Sequence, residues 1–306
     1  MIAQVGHYRI LERIGAGGLG EVYRARDTRF GRTVALKVVD DAIARDPDRR
    51  ARLMADAQTA VALSHPNIAA LYEAGEDNAR LFLAFEFVPG ETLETMIAGG
   101  PLNPRHVAEH GIQIADALAE AHASGLIHGD IRSHNIVVTP KGSAKILDFG
   151  LSTWTGGDIS AYKSPEQLEH LSLDHRTDIF SFGVVLFEML TGRRPFNGTG
   201  ETLSSPAPVA SAVNPALRPD FDVIVARALA KKPDDRYEAA ATLAAELRSV
   251  AAMLDVRSGE AEPTTVAPPR MVRLPPRKSR TPIFVGLVAL ALVTAFVAMW
   301  LLRLNH

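Results

Sequence analysis

Apolar and polar positions alternate around turn signals along Tyr8–Ile14, Glu21–Arg26 and Thr33–Val39. That period predicts three strands, the first two forming a hairpin. A helix is expected over about Asp48 to Leu63. A further apolar strand, Leu81 to Val88, ends in the Pro89-Gly90 turn. Val107, Gly111, Ile114, Leu118 and Ala121 recur at helical spacing, and so do Leu243, Leu247, Val250 and Leu254. Ile179–Leu190 is apolar on nearly every side. It opens after Asp178 and is too short to cross a bilayer, so it reads as a buried central helix. The pattern therefore predicts strands first and helices afterwards, an α+β chain.

The last stretch differs in kind. Pro263, Pro268, Pro269, Pro275, Pro276 and Pro282 fall between Arg257 and Pro282, which marks an extended linker without a core. Arg270, Arg273, Arg277, Lys278 and Arg280 cluster at its end. Ile283–Leu302 then carries no charged residue, long enough to span the hydrocarbon as a helix at about 1.5 Å per residue. The cations lie on the N-terminal side of the span, so the positive-inside tendency leaves the preceding domain in the cytoplasm. Residues 303–306 would form a short outer tail.

The 306 residues, 47% hydrophobic and 22% charged, suffice for two modest lobes with cores of their own. A net charge of −2 gives no electrostatic case for nucleic acid as a partner. With no cysteine, disulfides and cysteine-based zinc sites are excluded. The first residues lack a charged region followed by an apolar run, so no signal peptide is expected there.

The chemistry centres on Ile127-His128-Gly129-Asp130-Ile131-Arg132-Ser133-His134-Asn135, with Asp148-Phe149-Gly150 following. An acid such as Asp130 can orient a hydroxyl and accept its proton. Asn135 and Asp148 offer the oxygen ligands that Mg²⁺ prefers. Gly15-Ala16-Gly17-Gly18-Leu19-Gly20 is a G-x-G-x-x-G run. In a dinucleotide-binding fingerprint a helix would follow it, whereas here a strand follows. A Gly-rich hairpin can lay backbone N–H groups over phosphates, since no Cβ obstructs the approach. Lys37 interrupts the apolar strand Val34-Ala35-Leu36. Any one of these residues alone is ordinarily a solvated strand or loop residue; the set, in this order, is not.

Together they resemble the bacterial serine/threonine protein kinases of the eukaryotic (Hanks) type. Ser164-Pro165-Glu166, Asp178 to Gly183, and Lys231 to Tyr237 extend the resemblance, which covers about Tyr8 to Leu254. It implies a two-lobed fold: a β-rich lobe over about residues 8–88 and a helical lobe over about 89–255. Residues 256–282 would then be the linker and 283–302 a transmembrane helix. It also implies ATP and Mg²⁺ as cofactors. Asp130 would be the catalytic acid, assisted by Lys37, Arg132 and Asn135, with Asn135 and Asp148 holding the metal. Gly15, Ala16, Gly17, Gly18, Leu19 and Gly20 would cover the nucleotide phosphates and Val22 the adenine ring. Ala35, Lys37, Asp56, Glu86, Val88, Val137 and Asp148 are the further nucleotide-binding positions, Glu86 and Val88 acting through the main chain. Asp56 would orient Lys37. Glu166 and Arg236 would form a buried pair. The partners implied are ATP, a protein substrate and the membrane, and a homodimer is compatible with the pattern.

Several positions depart from the family. Asp56 stands for Glu, Gly129 for the Arg that reads activation-loop phosphate, Arg132 for Lys, and Ile159 for a Thr that touches the catalytic Asp. The loop from Asp148 to Glu166 is short, and the stretch after Phe196 is reduced. The favoured reading is an active, membrane-anchored kinase without an extracellular sensor domain. The alternative is a nucleotide-binding pseudokinase acting as a scaffold.

Overall fold

The computed structural model describes residues 3–151, 154 and 161–260, the side chains of 256–260 excepted. The expectations for Ile159, for the span 283–302, for the tail 303–306 and for most of the linker lie outside these residues.

The N-terminal part is a six-stranded antiparallel sheet in the order β1-β2-β3-β4-β6-β5. Its strands are β1 (Gln4–Val5), β2 (Tyr8–Gly17), β3 (Gly20–Asp27), β4 (Thr33–Val39), β5 (Leu71–Asp77) and β6 (Arg80–Glu86). Side chains alternate across it as the period demands. Val34, Leu36 and Val38 pack on one face with Tyr8, Tyr23, Ala25, Phe82 and Ala84. Leu81, Leu83 and Phe85 pack on the other with Leu53, Ala57 and Ala60. Strand β5 was not evident from the sequence, and β6 stops at Glu86 rather than running on to the Pro-Gly turn.

After the one-turn α1 (Asp41–Ala44) comes α2 (Pro47–Val61). The Asp46 side chain caps α2 by accepting from the Asp48 and Arg49 amides at 3.0 and 3.1 Å. Pro47 sits in the first turn, where no partner for its missing N–H is needed. Leu53, Ala57 and Ala60 form the stripe that faces the sheet.

The second part holds β7 (Glu91–Thr92), α3 (Leu93–Ile97), α4 (Pro104–Ala123), β8 (Ile136–Val138), β9 (Ala144–Ile146), α5 (Pro165–Leu168), α6 (Arg176–Thr191), α7 (Thr199–Ser204), α8 (Ala210–Val213), α9 (Pro219–Ala228) and α10 (Ala240–Glu260). Strands β7, β8 and β9 form a small antiparallel sheet. Helix α6 is buried on all sides from Thr177 to Phe187, the central helix expected. Gly192, at φ +74°, ends it by returning its amide to the Glu188 carbonyl at 2.8 Å. The core surrounding α6 comes chiefly from α4, α9 and α10. Each fully buried Leu or Phe there contributes about 1.5–3 kcal/mol. Helix α10 runs through Glu260, past residue 256 where composition placed the start of the linker.

Main-chain hydrogen bonds at Ile146 help tie the two sheets together. The amide of Ile146 donates to the Asn67 carbonyl, and the amide of Ala69 to that of Ile146, both at 2.8 Å. The chain just before Asp148 is thereby stitched to the strand-rich part.

Candidate active site

Strand β4 brings Lys37 to the site. The register pairs it with Val22 on β3 and Leu83 on β6. Its neighbours Leu36 and Val38 point into the core, so Lys37 emerges on the opposite face with Ala35. Its Nζ lies 2.6 Å from Asp148 Oδ2, both side chains being about one-sixth exposed or less, a charge-assisted contact. Asp148 has φ +62°, a conformation that costs most side-chain-bearing residues about 1–3 kcal/mol and gathers at functional sites. The next side chain, Phe149, is buried edge-on against His128 at 4.8 Å between ring centroids.

The catalytic-loop run is held from below by the buried carboxylate of Asp178 at the start of α6. Its oxygens accept the amides of His128 at 2.8 Å and Gly129 at 2.7 Å, and His122 Nε2 lies 2.9 Å away. Gly129 has φ +72°, where a side chain would add about 1–2 kcal/mol of strain. His128 accepts the Asp130 amide at Nδ1, 3.1 Å, and its Nε2 donates to the Leu147 carbonyl at 2.8 Å.

Asp130 is thereby fixed beside Asn135. The Asn135 Nδ2 donates to the Asp130 main-chain oxygen at 3.0 Å and to Oδ2 at 2.9 Å, and Arg132 Nε stands 3.3 Å from the same Oδ2. The Leu147 amide donates to the Asn135 carbonyl at 2.8 Å, which sets Asn135 next to the Asp148 turn. A cavity of about 340 Å³ adjoins Arg132, lined also by Glu94, His134, Tyr162, Glu188 and Arg194. In it the Tyr162 hydroxyl donates to Glu188 at 2.7 Å and lies 2.9 Å from the Ser133 hydroxyl. Burial raises the pKa of both Tyr162 and Glu188.

The glycine-rich segment is the β2–β3 hairpin, with Gly15 opposite Val22, Ala16 opposite Glu21 and Gly17 opposite Gly20. Gly18 and Leu19 form its tip. Added Cβ atoms on Gly15 or Gly17 would meet nothing within 4 Å, whereas one on Gly20 would lie 2.2 Å from the Val38 carbonyl. Gly20 is thus required for the close approach to β4. The Leu19 side chain is buried with Val39 and Ile43, so the main chain is what the tip offers to a phosphate. Ala35 lies opposite Phe85, and Val137 is in β8 opposite Thr92 and Lys145. Glu86 ends β6. Its amide donates to the Ala70 carbonyl at 2.8 Å, and its carboxylate accepts from Lys145 at 2.9 Å. Val88 follows in the connection to β7. There Gly90 approaches β8 so closely that a Cβ would fall 2.1 Å from the Val138 carbonyl.

The structure therefore brings together Lys37, Asp148, Asn135, Asp130 and Arg132. It does not bring Asp56 to Lys37 as expected. Asp56 Oδ2 accepts a 3.0 Å hydrogen bond from Trp154 Nε1, and the ion pair of Lys37 is with Asp148. The Asp side chain is one methylene shorter than Glu, and the Trp154 indole N–H takes it.

Two contributors escaped the sequence reading. In the sequence Asp178 reads only as a helix start, although a buried acid flanked by apolar residues must find donors. Gln167, whose Nε2 donates to the Gly129 carbonyl at 2.8 Å, carries no sequence signal of that role. For the metal, Asn135 and Asp148 present one amide oxygen and one carboxylate. That set suits Mg²⁺ shared with phosphate oxygens and water better than a metal held by protein alone.

The family model for the protein kinase domain matches residues 8–247. The serine/threonine-protein kinase PrkC of Bacillus subtilis is 36% identical over 261 residues, 80% of this chain and 40% of its own length. PknL of Mycobacterium tuberculosis, also a serine/threonine-protein kinase, is 36% identical over 261 residues, 80% of this chain and 65% of its own. The chain thus spans only part of these relatives. Among solved structures, the M. tuberculosis PknI kinase domain superposes with a TM-score of 0.70 at 27% identity, covering 82% of this chain and 99% of that one.

Proposed function

The chain belongs to the protein kinase family, and on that premise we propose that it transfers the γ-phosphoryl group of ATP to serine or threonine hydroxyls of proteins, tethered to the cytoplasmic face of a membrane. One observation carries the catalytic part: Lys37, Asp148, Asn135 and Asp130 converge through the 2.6 Å Lys37–Asp148 pair, the 2.9 Å Asn135–Asp130 hydrogen bond and the Leu147–Asn135 link. Bound Mg²⁺·ATP supplies the phosphoryl group and the divalent charge that neutralises it.

The residues of this chain position the rest. With the nucleotide bound, Lys37 would hold the phosphates, and the Asp148 carboxylate and Asn135 amide oxygen would hold the metal. Asp130 Oδ2 is occupied by Asn135 and Arg132, so the other carboxylate oxygen is the one that orients the acceptor hydroxyl and takes its proton. Arg132 stands beside the developing charge as a fixed cation. The cavity at Arg132 receives the acceptor polypeptide. The scaffold alternative gains nothing from relatives that are named as kinases.

The tether rests on the uncharged run Ile283–Leu302 and the cations before it. The catalytic reading is tested by incubating the full chain in detergent with radiolabelled ATP, Mg²⁺ and a generic protein acceptor. Label should appear on Ser or Thr and be lost in Asp130→Asn. Equal incorporation by wild type and Asp130→Asn would overturn it.

A further inference from the structure

The acids and cations around the cavity at Arg132 do not balance once their partners are counted. The carboxylates that line it are those of Glu94 and Glu188. Glu94 is taken by His134 Nδ1 at 3.0 Å. Glu188 accepts the Tyr162 hydroxyl at 2.7 Å, and burial raises its pKa, so it draws an incoming cation weakly. The cations are less engaged. Arg132 Nε stands 3.3 Å from Asp130 Oδ2 and is buried without a hydrogen-bond partner. Arg194 is exposed, with its guanidinium 5.9 Å from the centre of the Tyr162 ring. It acts on Glu188 through space and forms no ion pair among the described residues. Lys163, which follows Tyr162 directly, is exposed and likewise without an ion pair there.

A second cavity of about 490 Å³ shares Glu188 and Arg194 as walls and adds Arg193, Pro195, Pro208 and Val213. Exposed arginines are ordinarily solvated and idle. These two stand on a segment that is held in place. Gly192 ends α6, and the Arg193 amide donates to the Thr191 hydroxyl at 3.3 Å. Pro195 and Phe196 are buried, and Phe196 stacks on Phe180 with 6.1 Å between ring centroids. The two guanidinium groups are thus carried by a preorganised stretch beside the acceptor cavity, which lowers the cost of ordering them around a ligand.

We propose that this cleft selects the acceptor polypeptide by charge: it favours a Ser or Thr that has a carboxylate side chain within about five residues, about 17 Å of extended chain, held by Arg194 with Arg193 beside it. The inference rests on the phosphotransfer reading above and names the acceptor class for it. Its physical basis is the inventory of charge. An acidic side chain entering the cleft meets a planar fork that has no carboxylate of its own and can bind it through two parallel hydrogen bonds. A basic side chain would have to compete with His134 for Glu94 and with Tyr162 for Glu188, and would meet Arg194 as a like charge.

The test uses the full chain in detergent. The acceptors are peptides with one Ser among Ala and Gly, carrying Glu, Lys or Ala at one flanking position at a time. The best glutamate peptide should exceed its alanine counterpart in kcat/KM by about tenfold, chiefly through KM. Added salt should shrink that advantage. Arg194→Ala should cut the glutamate-to-alanine ratio to about threefold or less, and Arg194→Glu should favour lysine at the same position. A folding defect lowers both rates alike and leaves their ratio unchanged, so the ratio reads recognition. Equal rates for glutamate and alanine at every position would overturn the proposal. So would a ratio that survives in Arg194→Ala, or a wild-type preference for lysine, which would give the reading to Glu94 and Glu188. Binding of fluorescein-labelled peptides, followed by anisotropy, separates this inference from the one beneath it. Selective binding of the glutamate peptide that is lost in Arg194→Ala, with no phosphate transferred, keeps the acidic subsite and sinks the phosphotransfer reading. Phosphorylation of peptides without charge preference does the reverse.

Discussion

Arg236 and Glu166 are joined by two parallel hydrogen bonds, Nη1 to Oε1 at 2.6 Å and Nη2 to Oε2 at 2.7 Å, across seventy residues of sequence. Both side chains are buried. Arg236 Nε donates further to the Ala230 carbonyl at 2.8 Å, and Thr177 donates to Glu166 at 2.8 Å. The pair fastens the start of α5 to the loop before α10, behind the segment that carries Gln167 to Gly129. It has the fork geometry that only Arg provides.

Removing one partner leaves the other charge buried without compensation. Arg236→Ala should therefore destabilise the protein by about 3–5 kcal/mol, read as a lowered denaturation midpoint in urea. Burial pushes the Glu166 carboxyl up, but the hydrogen bonds and charge of Arg236 outweigh it and hold its pKa below the ordinary 4.5. With the folded value below the unfolded one, the contribution of the pair is complete above about pH 4.5 and is lost as pH falls through the folded value. Wild type should show this acid loss, and Glu166→Gln should show less of it. A urea midpoint for Arg236→Ala equal to that of wild type would refute the brace.

The parts of the site legible in the sequence are those whose chemistry fixes spacing. Lys37 interrupts an apolar strand, and its interval after the glycine run matches the family's lysine. Asp130, Asn135 and Asp148 stand at intervals that match the family's motifs. Glu166 and Arg236 were paired through the family resemblance. What stayed hidden depends on packing. The Asp178 carboxylate reaches two amides of a loop fifty residues earlier. Trp154 lies in a stretch with no periodicity, and its place under α2 follows from the shape of the core. Strands β8 and β9 have three residues each, too few to show a period.

Nucleotide binding offers a stability test. Mg²⁺·ATP should raise the thermal midpoint of wild type, because a ligand that binds only the folded state stabilises it. Asp148→Asn keeps the shape but lowers the charge that faces the metal and Lys37. Its upshift with Mg²⁺·ATP should be much smaller, measured by differential scanning fluorimetry over a nucleotide titration. No upshift in wild type at millimolar nucleotide would count against any nucleotide site here.

The proposed tether gives a fractionation test. Full-length protein should sediment with membranes through a high-salt wash and be released by detergent, and deletion of residues 283–302 should leave it in the supernatant. Full-length protein recovered in the supernatant without detergent would exclude a span. Protease added to right-side-out vesicles should spare the kinase domain, since the cations of 270–280 precede the apolar run.

An Arg before the catalytic Asp would carry a cation that a loop phosphate neutralises, ordering the loop through charge-assisted hydrogen bonds. Gly129 has no side chain, and its backbone is held by other means. Its amide goes to Asp178 at 2.7 Å, and its carbonyl accepts from Gln167 at 2.8 Å. Ser133, Tyr162 and Glu188 add a second, buried link between the catalytic loop and the end of the activation segment. Neither link needs a phosphate. Ser152, Thr153, Thr155 and Ser160 lie outside the described residues and are the acceptors nearest in sequence. Changing all four to Ala, or treating wild type with phosphatase, should leave the rate on an exogenous protein within about threefold, which corresponds to roughly 0.65 kcal/mol in barrier height. Gln167→Ala, by contrast, should lower kcat, because it frees the Gly129 carbonyl and with it the main chain that aims Asp130. A hundredfold loss on dephosphorylation would mean that another cation reads the phosphate, and control would then lie in the loop after all.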